Sequence, residues 1–149
     1  IVGPDAAIPR FTQQLNIIKS INRRFESSLF DIRQLVQADL FDSELSAARE
    51  LNKKGFVRGA GAIAGVVLES HLAQVCENHK IKITKKNPTI NDYNQKLYDN
   101  DVIEPEDWRF IQYLADLRNL CDHKKKREPT KEDIEELING VEKITKTIF

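Results

Sequence analysis

Gly59-Ala60-Gly61-Ala62-Ile63-Ala64-Gly65-Val66-Val67-Leu68-Glu69-Ser70-His71-Leu72 is the stretch on which the reading of the fold turns. Phe56, Ala60, Ala64, Val67, His71 and Val75 recur at steps of three and four, the period of one helical face. Small residues at 59, 60, 61, 62, 64 and 65 leave several faces nearly bare. Helix separation depends on the side chains at the contact, so a bare helix lets a neighbour come close. We expect it to be the central helix of a bundle.

Working outward, Ser43 with Glu44 opens a helical pattern through Leu45, Ala48 and Leu51 that can run on past Gly55 into the central helix. A glycine inside a helix costs about 1 kcal/mol relative to alanine, and a break at Gly55 is the alternative. Further upstream, Phe11, Leu15, Ile18, Asn22, Phe25, Leu29, Ile32 and Val36 form the stripe of a long amphipathic helix that needs a long partner surface. Asn22 is its one polar member and could fix register if the helix packs on an identical one; a peripheral asparagine is the other reading. Residues 1–10, with Gly3, Pro4 and Pro9, read as an irregular lead-in.

Downstream, Ile81 to Pro88 is a loop with Lys85-Lys86 exposed, and Thr89 caps a short helix through Tyr93, Leu97 and Tyr98. Glu104-Pro105-Glu106-Asp107 starts the next helix. Its stripe is Phe110, Leu114, Leu117 and Cys121, widened by Trp108, Ile111 and Ala115. Thr130 with Asp133 caps a last helix whose stripe is Ile134, Leu137, Ile138, Val141, Ile144 and Ile148. No segment alternates with period two for the length of a strand. The fold expected is all-α, a bundle of about five helices, with one domain over residues 11–149.

At 149 residues the chain can bury a core without disulfides or metals. Formal net charge is zero, so any hold on nucleic acid must come from a local patch. The two cysteines, Cys76 and Cys121, are far apart and suit a reducing cytoplasm. The most apolar run, residues 56–68, contains Arg58 and falls short of the ~20 residues a bilayer needs, so no membrane segment is expected. The start at Ile1 fits a trimmed piece of a longer chain.

Chemistry concentrates in Arg118-Asn119-Leu120-Cys121-Asp122-His123, followed by Lys124-Lys125-Lys126-Arg127. Arginine holds a phosphate in a bidentate fork, and histidine exchanges a proton near neutral pH. On an ideal helix Arg118 and His123 lie about 140° apart, while Asn119 and His123 share a face. The plainer reading is a solvated arginine and a histidine that complements the helix C-terminus. Glu69 sits on a face of small apolar residues and needs a partner, either Arg118 or His123, or a structural cation such as Arg58 or a lysine. Lys124, Lys125, Lys126 and Arg127 can carry RNA phosphates. Tyr93, Tyr98 and Trp108 can stack bases but fit core packing better. The pairs Cys76-x2-His79 and Cys121-x-His123 do not make a metal site, because the second pair points to opposite sides of a helix.

Arg118, Asn119 and His123 resemble the R-polar-x3-H form of the Rx4-6H motif of the HEPN superfamily. The helix from Gly59 to Leu72 is similar to the AGxxAGVxLExHL helix of one bacterial branch, and the likeness covers roughly residues 40 to 149. It implies a metal-independent endoribonuclease of toxin or abortive-infection type, with no cofactor and with RNA as substrate. Arg118, Asn119 and His123 would be catalytic and the active site would form at a homodimer cleft, with Glu69, if paired to Arg118 or His123, orienting it. A blocking antitoxin or a larger parent chain would be the further partner. The rival expectation is a non-catalytic dimerisation or nucleotide-binding module of a larger defence or regulatory protein.

Overall fold

The computed structural model describes residues 4–122 and 127–149. Among them are five helices and no strand: α1 (Pro4–Lys53), α2 (Val57–Asn78), α3 (Ile90–Asp99), α4 (Pro105–Asp122) and α5 (Lys131–Thr147). Contacts divide the chain into two compact units that meet between Asp39 and Leu40.

The second unit is built on α2, which packs against α3, α4 and α5. Ala60, Ala64, Val67, Leu68, Leu72 and Val75 of α2 are buried, together with Leu114 of α4 and Ile134, Leu137 and Ile144 of α5. By length and composition α2 also qualifies as a membrane span, but its apolar side chains form this core. Gly61 admits α4 and α5, since a Cβ there would collide with Cys121 Sγ and press on Ile134 Cδ1 at 3.0 Å. The last part of α1 joins through buried Leu45 and Ala48 and through Asn52, whose Nδ2 donates to the Lys131 carbonyl at 2.9 Å.

The first unit is helical from Pro4, where sequence predicts an irregular lead-in. Pro9 withholds one N–H inside the helix, within the exposed stretch 7–10. Nor does Ser43 begin a helix, because α1 runs through it to Lys53. The break comes at Gly55, with φ +90°. There Phe56 N donates to the Leu51 carbonyl and Gly55 N to that of Asn52, the Schellman closure of a helix end.

Two more helices close the same way without glycine. Ile81 N reaches the Cys76 carbonyl around Lys80 (φ 57°), and Val102 N reaches that of Leu97 around Asp101 (φ 55°). The residue after the turn is apolar and packs on the core in both, as Ile81 and Val102. A side chain in the left-handed region costs roughly 1–2 kcal/mol. Lys80→Gly and Asp101→Gly should each therefore raise stability in urea by about 1 kcal/mol.

His71 is buried in this unit, edge-on to Phe41 with ring centroids 5.9 Å apart. Its Nε2 donates to the Ile148 carbonyl at 2.9 Å. Burial pushes its pKa below the ordinary 6.5, outweighing the hydrogen bonds to Ile148 and Ile144, which act the other way. The unfolded chain then takes up this proton more readily than the folded one. Stability is full above pH 6.5 and falls as pH drops below it. In chemical denaturation from pH 7 to pH 5, the decline should be shallower in His71→Leu than in wild type.

Candidate functional site

The face of α4 that carries Ile111 and Ala115 turns inward, and Arg118 follows them at the next helical steps. Its guanidinium stem is seated on α2. A Cβ at position 65 would lie 2.5 Å from Arg118 Cγ, 3.0 Å from Nε and 3.3 Å from Cδ, so only glycine leaves room for the arginine in this position. The helix and the motif that sequence analysis singles out separately are thus in direct contact. Methylenes covered by a neighbouring helix with a charged head beyond are how long cations sit at a core boundary.

Arg118 and Asn119 line a cavity of about 190 Å³ with Ala115 of the same helix. Glu69 closes it from α2, and Thr89, Ile90 and Asn91 close it from the start of α3. Thr89 and Asp92 form a reciprocal capping box, in which Thr89 N donates to Asp92 Oδ2 at 2.7 Å. Lys85 Nζ adds an ion pair to the same oxygen at 2.7 Å, and with Thr89 it draws the Asp92 pKa down to about 2. The box satisfies the N–H of Asp92. The first-turn N–H groups of Ile90 and Asn91 belong to the positive end of α3, which favours an anion. Asn91 Oδ1 is held by Gln112 Nε2 at 3.0 Å. A guanidinium and a helix N-terminus therefore face one small space, with the Glu69 carboxylate on its wall.

The structural partner considered for Glu69 among the cations, Arg58, is ruled out by position. Eleven residues of helix put the two roughly 16 Å apart. Arg58 instead donates from Nε and Nη2 to Glu128 Oε2 at 3.0 and 2.6 Å, and from Nη1 to the Cys121 carbonyl at 2.5 Å. That last bond satisfies an end carbonyl of α4, where the macrodipole is negative. Arg58 thus secures the helix end that bears the motif, a role that sequence periodicity alone does not reveal. Glu69 also lies near Tyr93, whose phenol is pushed up by burial and then by the Glu69 charge.

His123, Lys124, Lys125 and Lys126 lie outside the described residues. Arg127 is described: it makes a two-pronged pair with Asp133, Nη1 to Oδ2 at 2.5 Å and Nη2 to Oδ1 at 2.9 Å. Asp133 caps α5 from the Thr130 box, and the arginine holds its carboxyl well below the usual range. Of the aromatic candidates, Tyr98 and Trp108 pack on each other at 5.7 Å. Cys76 is a buried thiol pushed up to about 11 by its surroundings. Among the described residues no group of three or more His, Cys, Asp or Glu side chains is placed to hold a metal ion.

No family model, curated protein or solved structure matches the chain.

The Gly65 seat gives a direct test of how tightly packing and motif are joined. Gly65→Ala gains about 1 kcal/mol of helix propensity but forces overpacking that costs roughly 1–3 kcal/mol. In wild type it should destabilise by about 1 kcal/mol, and in an Arg118→Ala background it should stabilise. The double-mutant cycle in urea reads the difference.

Proposed function

We propose that the chain is a HEPN-like, metal-independent endoribonuclease whose centre is Arg118, Asn119 and His123. The observation that carries this reading is the seating of Arg118 on Gly65, beside Asn119 and Glu69 around one cavity. At about 190 Å³ the cavity is smaller than the ~300 Å³ lower end of small-molecule pockets.

In this mechanism the 2′-hydroxyl of RNA attacks the adjacent phosphorus. The 2′-O–P bond forms and the bond to the departing 5′-oxygen breaks, leaving a cyclic phosphate and a 5′-hydroxyl. His123 moves the proton as general acid or base. Arg118 stabilises the charge that builds on the phosphoryl oxygens. Asn119 orients the phosphate or the imidazole, and Glu69 holds the guanidinium in line. Lys124, Lys125 and Lys126 guide the RNA strand by its phosphates, with Arg127 at the edge of that run. The resemblance implies two such motifs at a shared homodimer cleft, with an antitoxin or a larger parent chain as the controlling partner.

A second reading, a non-catalytic interaction module, is favoured by the uncovered apolar side chains of α1, which are a partner surface and not a catalytic one.

RNA cleavage in EDTA separates the two. His123→Ala should lose about 10²–10⁴-fold in rate, and Arg118→Ala about 10²–10³-fold, with folding checked by circular dichroism. Equal cleavage by wild type and both variants would leave the interaction module standing.

A further inference from the structure

The largest unexplained feature of the described residues is the surface of α1 before Asp39. Read as heptads, Ile8, Leu15, Asn22, Leu29 and Val36 occupy the a positions, and Phe11, Ile18, Phe25 and Ile32 the d positions. The eight apolar members are between 39% and 66% exposed. We propose that this stripe is the seam of a parallel, in-register, two-stranded coiled coil between two copies of the chain, in which the two Asn22 amides face each other.

Area is the first support. The stripe runs for roughly 42 Å at the helical rise of 1.5 Å per residue. Side chains of this size, exposed to this degree, offer on the order of 100 Å² each. Together they present about 800 Å² per chain, one side of a standard specific interface. Apolar patches beyond a few hundred Å² are seldom left to water.

Asn22 chooses the partner and the direction. A buried amide without hydrogen bonds costs on the order of 1–3 kcal/mol. An amide carries both donors and acceptors, so its own copy is a partner that satisfies it. Only a parallel, in-register pair sets Asn22 against Asn22. An antiparallel pair layers a positions against d positions, which sets Asn22 beside Ile18 or Phe25, and neither side chain offers such a bond. A single asparagine at an a position is also the device that fixes register and strand number. Leu15 and Leu29 at a with Ile18 and Ile32 at d lean towards four strands, and the central Asn22 layer decides for two.

The flanks agree. Charges nearest the seam are Lys19, Glu26 and Arg33, all at e positions. In the parallel pair they meet the partner's g residues, Gln14, Ile21 and Ser28, so no like charges are opposed. Pro9 falls at b, away from the contact. Asp39 takes the d position after Val36, so the seam ends where the first unit ends.

The proposal does not rest on the ribonuclease reading, and its test contains no RNA. In sedimentation equilibrium at micromolar concentration, wild type should have twice the 17.1 kDa chain mass. Ile18→Asp with Ile32→Asp should halve it, while the thermal transition of the second unit persists. Leu15→Cys should form an interchain disulfide under mild oxidation, which wild type, with its buried thiols, should not. A monomeric or tetrameric wild type, a mass unchanged by the double substitution, or no crosslink at position 15 would each overturn the parallel pair.

Discussion

Everything in the second unit depends on how near α4 comes to α2. Gly61 and Gly65 weaken α2 as an isolated helix by about 1 kcal/mol each relative to alanine. What offsets this is the packing they permit: Cys121 fills the space at one glycine and the Arg118 stem the space at the other. α5 contributes in the same manner, with Gly140 yielding to Leu114 and Phe110 of α4. Small residues at three crossings set the spacing of the helices, and larger apolar side chains such as Leu68, Ile111 and Ile138 fill what remains.

The motif is held from more than one direction by this arrangement. Below it, Gly65 bears the arginine stem; at its end, Arg58 ties the Cys121 carbonyl to the loop that carries Glu128. Beside it, the capped start of α3 turns its positive pole to the same cavity that Glu69 borders. None of these supports comes from α4 itself. Positive potential and a rigid floor are provided by two other helices, so the surroundings of Arg118 and Asn119 are a property of the bundle and not of a six-residue signature.

Sequence revealed those parts of the molecule where local rules are strong. Thr89 and Thr130 cap α3 and α5 because each has an acid three residues on, and Pro105 opens α4 because its missing N–H costs nothing there. The buried stripe of α5 follows from its period alone. Elsewhere local signals misled: Pro9 lies within a helix, and Ser43 caps nothing because Phe41 and Leu45 have burial sites to reach on one continuous helix. The buried positions Phe41, Leu45, Ala48 and Asn52 begin five residues after Val36, a break in the spacing that coincides with the unit boundary. That shift of phase was open to view in the letters. The bonds from Arg58 to Glu128 and to the Cys121 carbonyl were not, because they join residues more than sixty positions apart.

The glycine beneath Arg118 has an evolutionary corollary. A lineage that has lost the arginine can exchange the glycine for alanine at a gain, whereas one that keeps the arginine meets a cost at the same exchange. Change should therefore run in one order, cation first and floor second, and descendants that keep the bare helix without its cation would record an arginine once seated there.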